Sequence, residues 1–192
     1  MVTLARVLTP WRRDTMDSDS RLLTEARRGN RSAFDSLRRQ HEQALRGFVA
    51  RRVGTDAADD LTQEIWLACW QALAKYAGRA RFKAWLYGIA THKCADCLRS
   101  RAHTMMREEA TFVEPIAPDA YRAVEIRQIV QEALRRIPDE QREVLELYFY
   151  AELTLAEIAQ ALNRNLNTVK YQFYRAHALV AQELLTEDEE TK

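Results

Sequence analysis

The chain has 192 residues with a formal net charge of +1; 47% of them are hydrophobic, and only five are glycine and four proline. This length suits one or two small domains, and the composition favours a helical globular protein. No apolar run approaches the roughly 18 residues that a membrane-spanning helix needs, and the apolar stretch at the N-terminus is too short for a secretory signal, so we expect a cytoplasmic protein without membrane insertion.

Four helices are predicted in the first half of the chain. Residues 1–16 lack periodicity and are expected to form a loose extension. From residue 17, apolar side chains recur at helical spacing, and the Gly-Asn pair at 29–30 separates a short helix from a longer one. The sequence GTD at 54–56 ends the second helix and starts a third, which we place at 57–74.

A basic loop containing a tyrosine follows the third helix. It is the sequence KYAGRA at residues 75–80, and a fourth helix is predicted from 81 to 101. Residues 102–120 contain Pro115 and Pro118, with mixed charge and little periodicity. They indicate a flexible linker between two small helical domains, the first spanning residues 17–101.

The second domain is predicted at residues 121–186. A helix is expected at 124–137, and the sequence PDE at 138–140 suits the first turn of the next, because proline is tolerated there and carboxylates complement the helix dipole. The acidic residues 187–192 are expected to form a solvated, disordered tail.

Residues 153–176 describe two short helices joined by a tight turn. Thr154 and Glu157 have the spacing of a capping box, which starts the first helix. Asn163 stands at the turn, where asparagine tolerates the left-handed backbone conformation. The second helix opens at 165–167. Its inward residues are predicted to be Leu166, Val169, Phe173 and Ala176, which leaves Asn167, Thr168, Lys170, Tyr171, Gln172, Tyr174 and Arg175 facing outward.

The outward side chains of that second helix suit a DNA groove. Amides and cations can bond to base edges, while hydroxyls and cations hold phosphates. The pattern therefore favours a helix-turn-helix that recognises DNA. The alternative is an ordinary helical hairpin with a polar exposed face.

Two segments of the first domain carry candidate binding residues. Asp60, Gln63 and Glu64 share a face of the third helix at i, i+3 and i+4, and predict an acidic docking surface; carboxylates near a helix start are also common for dipole reasons alone. The segment 78–101 interleaves cations with aromatics, a combination that can hold phosphates and unstacked bases of single-stranded DNA. The alternative for Phe82 and Trp85 is a place in the core.

Charge is distributed unevenly between the halves. Residues 1–101 carry 19 Lys and Arg against 11 Asp and Glu, a net charge of +8, whereas residues 102–192 carry 10 against 17, a net charge of −7. The basic half suggests a polyanionic partner. The acidic half contains the helix-turn-helix, and because affinity for DNA depends on neutralised phosphates, we expect it to bind DNA weakly unless another contact holds it there.

The cysteines do not predict a disulfide framework or a metal site. Cys69, Cys94 and Cys97 are an odd number without a secreted spacing pattern. His92, Cys94, Cys97 and His103 have zinc-ligand residue types, but at about 100° per residue one continuous helix cannot bring all four together. Nor does the sequence contain a nucleophile-base pairing or a phosphate-binding glycine loop, so we expect neither a cofactor nor an enzymatic activity.

Three of these motifs, in this order, resemble the extracytoplasmic-function (ECF) sigma factors of bacterial RNA polymerase, over roughly residues 17–185. The sequence DAADDLTQEIWLACWQAL is similar to their region 2.2, which docks on the β′ coiled coil of core polymerase. The sequence RARFKAWLYGIATHKCADCLRSR is similar to regions 2.3 and 2.4, which melt and recognise the −10 element. The sequence from Ile137 to Ala176 resembles region 4, which enters the major groove at the −35 element.

The resemblance implies a role for individual residues. Core-polymerase contacts would be Asp60, Gln63 and Glu64. Contacts to the −10 element would be Lys75, Tyr76, Arg79, Arg81, Lys83, Trp85, Tyr87, His92, Arg99 and Arg101, with the loop 75–81 holding a flipped base. Contacts to the −35 element would be Arg164, Asn165, Asn167, Thr168, Lys170, Tyr171, Gln172, Tyr174 and Arg175.

The resemblance also implies partners: core RNA polymerase through its β′ coiled coil and β flap, promoter DNA, and an anti-sigma factor.

The chain departs from the family at Asn163 and Asn167, which replace frequent glycines, and at Tyr171 and Tyr174, where small or basic residues are common. Lys93 interrupts the apolar stripe of the fourth helix. Two alternatives remain open, namely an autonomous helix-turn-helix regulator and a helical adaptor that binds only proteins.

Overall fold

The computed structural model describes residues 16–105 and 137–190, with side chains at 19–102 and 137–180. These residues form helices and connecting turns, without a strand. None of the described helices is long and apolar enough to cross a membrane. The α-helices are α1 (Met16–Arg27), α2 (Arg31–Val53), α3 (Thr55–Ala72), α4 (Phe82–Met105), α5 (Asp139–Phe149), α6 (Leu155–Ala161) and α7 (Leu166–Glu190), and a short 3-10 helix, Leu73–Lys75, follows α3.

The prediction of an all-α chain with two helical domains is confirmed. Helices α1 to α4 form the N-terminal domain, and α5 to α7 form the described part of the C-terminal domain. The expected extension before residue 16, the linker beyond residue 105 and the helix expected at 124–136 lie outside the described residues.

Local capping explains the predicted breaks of the N-terminal domain. The Asn30 side chain accepts a hydrogen bond from the Ala33 N–H at 3.2 Å, which satisfies one free donor at the start of α2. Gly29 and Gly54 have φ values of +91° and +88°, a conformation that favours glycine, and they separate α1 from α2 and α2 from α3. Helix α4 continues to Met105, four residues beyond the predicted end, because no helix-breaking residue stands between 101 and 105.

The two domains have apolar cores that the helical periodicity of the sequence places on inward faces. In the N-terminal domain the largest fully buried side chains are Leu37, Leu45, Phe48, Val49, Ile65, Leu86 and Tyr87. In the C-terminal domain they are Val144, Leu147, Ile158 and Val169. Burying each such side chain contributes about 1.5–3 kcal/mol, so these residues make a large contribution to the stability of both domains.

The acidic tail is a correction. Residues 187–190 were expected to be disordered, but helix α7 runs without interruption to Glu190. Residues 166–190 contain neither glycine nor proline, and alanine, leucine, glutamine and glutamate are strong helix formers, so nothing ends the helix earlier.

The domains contact each other mainly through α4 and α6. At the closest approach, a Cβ atom on Gly88 would lie 2.7 Å from the backbone oxygen of Ala161. Only glycine therefore fits at this position of α4 while the domains are packed together.

Candidate nucleic-acid and polymerase interfaces

The turn between α6 and α7 has the geometry that the sequence predicts for a helix-turn-helix. The Thr154 hydroxyl accepts a hydrogen bond from the Glu157 N–H at 3.3 Å, and the Glu157 carboxylate accepts one from the Thr154 N–H at 2.8 Å, which completes the capping box. Asn163 has a φ of +51°, and the next N–H, of Arg164, donates to the Ala159 carbonyl at 2.9 Å. Both predictions, the capping box and the left-handed asparagine, are confirmed.

Helix α7 presents a polar face to solvent at its start. The Asn165 side chain accepts a hydrogen bond from the Asn167 N–H at 2.8 Å, which caps the first turn. The exposed predicted −35 residues are Asn165, Asn167, Thr168, Lys170, Tyr171, Tyr174 and Arg175. Tyr171 and Tyr174 are 62% and 65% exposed, which is unusual for aromatic side chains and leaves much of each ring accessible to a partner, although the Tyr174 ring also packs edge-on against Phe173.

Gln172 does not face outward as predicted. It is 6% exposed, because it stands three residues after buried Val169 and shares that face of α7. Its Nε2 donates to Glu140 at 2.9 Å, and its Oε1 accepts from Arg164, whose Nη2 lies 2.7 Å from Glu143. In this structure Gln172 and Arg164 thus tie α7 to α5 and are not free to meet a base.

Leu166 is also a correction. It was predicted to face inward, but it is 37% exposed. It is the first residue of α7, where the helix has only begun to pack on α5 and α6, so its side chain leaves the core.

The basic loop between α3 and α4 exposes two of its cations. Lys75 and Arg79 are exposed on either side of Gly78, whose φ is +71°. Tyr76 is buried: its ring packs on Trp85 at 4.7 Å between centroids, and its hydroxyl donates to the Ala80 carbonyl. The tyrosine therefore holds the loop in shape from beneath instead of presenting its ring to a partner.

The remaining predicted −10 residues are Arg81, which directly precedes α4, and residues on several faces of α4. Arg81, His92, Arg99 and Arg101 are exposed, and Lys83 and Trp85 are half-buried. Arg101 also donates to the Val53 carbonyl. Tyr87 is a correction, because it is fully buried against Phe48 at 5.1 Å and this burial raises the pKa of its hydroxyl. It shares its stripe of α4 with buried Ala90 and Cys94, and in this arrangement its ring cannot reach a base.

The acidic face of α3 is exposed and includes one apolar residue, Leu67, that was not among the predicted contacts. Asp60, Gln63 and Glu64 are all accessible to solvent. Leu67 follows Glu64 by three positions and is 57% exposed. An exposed leucine next to carboxylates forms a mixed polar and apolar surface of the kind that docks on another protein. Helical spacing from Gln63 and Glu64 could have identified Leu67.

Lys93 now has a structural explanation. Its Nζ lies 3.2 Å from the Glu64 carboxylate, so it faces α3 at the solvent edge of the stripe. The pair is largely exposed and contributes little to the free energy of folding. Its consequence is that one of the predicted docking carboxylates has an intramolecular partner.

The thiols are buried or partly buried. Burial raises the pKa of Cys69 to about 12 and that of Cys94 to about 11, while Cys97 is half-buried. No group of three or more histidine, cysteine, aspartate or glutamate side chains could hold a metal within the parts of the chain that are described.

Comparisons with known proteins match both domains. A family model for sigma-70 region 2 matches residues 37–104, and one for sigma-70 region 4 matches residues 127–178. The ECF RNA polymerase sigma factor SigD of Mycobacterium tuberculosis is 33% identical over 179 residues, covering 85% of this chain and 82% of SigD. The ECF RNA polymerase sigma factor SigK of Mycobacterium ulcerans is 32% identical over 170 residues, covering 84% and 89%.

A solved structure has the same fold. It is that of CnrH in complex with the cytosolic domain of CnrY, which matches with a TM-score of 0.68 and 27% identity over 90% of this chain and 99% of that one. The order of the two matched regions, the helix-turn-helix and the identity across most of the chain agree. The chain belongs to the ECF RNA polymerase sigma factors and serves transcription initiation.

Proposed function

We propose that this chain binds core RNA polymerase, recognises the −35 and −10 promoter elements through different domains, and promotes DNA melting. One observation carries the proposal: a single chain holds an exposed basic loop in its region 2 domain and an exposed polar helix in its region 4 domain. A regulator that binds only duplex DNA needs the second surface and has no use for the first.

The −35 element is assigned to the start of α7. Lys170 and Asn167 supply a cation and an amide for base edges, and Thr168 and Arg175 supply phosphate contacts. Tyr171 and Tyr174 add exposed rings on the same helix. Gln172 and Arg164, predicted as contacts, support this surface from behind through Glu140 and Glu143.

The −10 element is assigned to the loop and the start of α4. Lys75, Arg79 and Arg81 provide cations around the turn at Gly78, and half-buried Trp85 lies behind the loop. Cations on phosphates with aromatic support for unstacked bases are the usual means of holding single-stranded DNA. His92, Arg99 and Arg101 extend the positive surface along α4.

The contact with core polymerase is assigned to the face of α3 formed by Asp60, Gln63, Glu64 and Leu67. The polymerase contact compensates for the acidic character of the C-terminal half, because tethering raises the local concentration of the −35 surface near its DNA. The chain would then act in the cytoplasm, without a catalytic activity of its own. An anti-sigma factor is a further proposed partner, since the cytosolic domain of CnrY binds CnrH.

Reconstitution with core polymerase tests the proposal. The wild-type chain should give transcripts with one defined 5′ end, whereas core enzyme alone should not. Asp60→Ala with Glu64→Ala should abolish these transcripts and core binding while keeping the melting temperature, because exposed polar substitutions usually cost under about 0.5 kcal/mol.

The matched control is Asp35→Ala with Asp96→Ala, which removes two exposed carboxylates of the same domain that lie on α2 and α4 and not on this face. Equal loss of core binding in the control would make the effect one of total charge. Loss of folding in the α3 variant would move its carboxylates from docking to structure.

A further inference from the structure

Two aromatic side chains stand in the centre of the exposed face of α7. Four exposed residues recur there at i, i+3, i+4 and i+7 and form one stripe along the helix, namely Asn167, Lys170, Tyr171 and Tyr174. The buried residues on the opposite side of the helix are Val169, Gln172, Phe173 and Ala176. The stripe is therefore the part of α7 that points most directly away from its own domain.

The position of the stripe favours base edges over phosphates. Thr168 and Arg175 are exposed seven positions apart, so they share one flank of the stripe. When a helix lies in the major groove, its flanks face the phosphate backbones and its central stripe faces the bases. Tyr171 and Tyr174 are thus placed to contact bases, with Asn167 and Lys170 on the same stripe as hydrogen-bonding neighbours.

The ring of Tyr174 is oriented by the core of the domain. It packs edge-on against Phe173 with 5.5 Å between the ring centroids, and Phe173 packs in turn against Tyr148 at 4.6 Å. The Tyr174 side chain nevertheless remains largely exposed. A ring that is held in place before binding loses less conformational entropy when a partner contacts it.

Tyr171 is the helical neighbour of Tyr174. Side chains three positions apart on a helix have Cβ atoms about 5–6 Å from each other, so the two rings stand side by side on the stripe. A small apolar group that enters between them contacts ring carbon atoms on both sides. We call the space between these two rings the tyrosine cleft.

The chemistry of the major groove identifies the group that fits this cleft. Among the base edges exposed there, only thymine carries an apolar substituent, its C5-methyl group. A tyrosine hydroxyl both donates and accepts hydrogen bonds, so by itself it does not discriminate strongly between base edges. The rings, in contrast, stabilise a methyl group by removing it from water.

We propose that Tyr171 and Tyr174 together determine specificity at the −35 element: the tyrosine cleft holds the C5-methyl group of one thymine and so selects a T·A pair at that position. This inference rests on the proposed function, which assigns the start of α7 to duplex −35 DNA. It adds the base that the two rings select and the atom by which they select it.

The test uses holoenzyme reconstituted with the full chain and a promoter whose −35 element is mapped by base changes. Each thymine of that element, on either strand, is replaced in turn by uracil, which lacks the C5-methyl group and keeps every hydrogen-bonding group. Relative affinity is measured by competition with the labelled, unmodified promoter fragment. At one thymine, the replacement should lower the affinity of the wild-type holoenzyme about fourfold, the usual effect of losing one buried methyl group.

Substitutions at the two tyrosines assign that effect to the cleft. Tyr171→Ala and Tyr174→Ala each remove one wall, so both should bind the thymine and uracil promoters almost equally. Tyr171→Phe and Tyr174→Phe keep both rings and should keep the fourfold preference. Lys170→Ala is the matched control on the same stripe, and it should weaken binding to both promoters while keeping their ratio. Each ratio compares two DNAs with one protein preparation, so it does not depend on the fraction of a variant that folds.

Four results would overturn the proposal. The wild-type holoenzyme could fail to distinguish uracil from thymine at every −35 position, which would leave the exposed rings to a protein partner. An alanine variant of either tyrosine could keep the wild-type preference. The phenylalanine variants could lose it, which would assign the contact to the hydroxyl groups. Lys170→Ala could also lose it, which would make the preference a property of the whole stripe.

Transcription by the wild-type holoenzyme separates this inference from the proposed function. If transcription from one start site depends on the −35 sequence while uracil has no effect at any position, the tyrosine cleft is wrong and the proposed function stands. If the holoenzyme gives no transcripts, or if its transcripts are independent of the −35 sequence, both are wrong.

Discussion

Gln172 and Lys170 stand two positions apart on α7 and have different surroundings. Gln172 is buried and bonded to Glu140, whereas Lys170 is exposed. We predict that Gln172→Ala lowers the free energy of unfolding by about 1 kcal/mol, because it removes a buried hydrogen bond. Lys170→Ala should leave stability unchanged and reduce discrimination between intact and altered −35 elements by about 1–3 kcal/mol if a base contact is lost.

Thermal unfolding followed by circular dichroism, together with transcription from promoters with altered −35 elements, checks this pair. A destabilised Lys170→Ala protein, or a Gln172→Ala protein of wild-type stability, would contradict the roles proposed for these two residues.

The thiols provide a test of burial at the level of single atoms. Desolvation raises the pKa of Cys69 to about 12 and that of Cys94 to about 11, above the ordinary value of 9.0, so both stay protonated at pH 8. Since the thiolate is the reactive form, we predict that iodoacetamide at pH 8 modifies Cys97 in the native protein well before the other two. Mass spectrometry of tryptic peptides measures this order. Cys97→Ser should remove the rapid phase of iodoacetamide modification. Rapid labelling of Cys69 would contradict the packing of α3.

The sequence could not identify Tyr87 and Gln172 as buried residues. Periodicity shows which residues share a face of a helix. A polar or amphipathic side chain at the edge of that face can point either into the core or into solvent. The outcome depends on partners far along the chain: Phe48 packs on Tyr87, and Glu140 accepts from Gln172. The exposed members of the site, such as Lys170 and Arg79, follow from local patterns alone.

The capping box that starts α6 is predicted to be a main determinant of the helix-turn-helix. Thr154→Ala removes the side chain that accepts from the Glu157 N–H and should cost about 1 kcal/mol, with a lower melting temperature. Thr154→Ser keeps the hydroxyl and is the control. Urea unfolding followed by circular dichroism gives the free energy of unfolding of each variant. An equal decrease in the two variants would mean that the methyl group of Thr154, and not its capping hydroxyl, stabilises the helix.

Helix starts and breaks were more predictable than helix ends. Asn30, Thr154 and Asn163 act through hydrogen bonds and backbone conformations within a few residues, so their effect is visible in the sequence. No comparable local signal stops α4 at residue 101 or α7 at residue 186, and both helices extend beyond the predicted residues. A helix without a stop signal continues as long as its residues favour helix.

For the molecule as a whole, the sequence predicted two domains but not their packing. The contact between Arg52 and Glu143 joins residues 91 positions apart, and no local pattern couples them. The charge asymmetry between the two halves was visible in the sequence. It was equally consistent with a separate polyanionic partner and with contact between the two domains of the chain. Gly88 in the middle of α4 was the other indication of domain packing in the sequence. A glycine inside a helix often marks a place where another part of the backbone approaches closely.

We propose that two surfaces on two domains act at different steps of initiation, the α7 surface on duplex −35 DNA and the loop at Arg79 on the melted −10 strand. The most direct test of this proposal is permanganate reactivity of −10 thymines, with transcription from duplex and pre-melted templates, for holoenzymes containing Arg79→Ala or Lys170→Ala. A pre-melted template should restore transcription by Arg79→Ala to near the wild-type level and restore Lys170→Ala much less. Equal rescue of both variants, or of neither, would contradict the division of roles between the two domains.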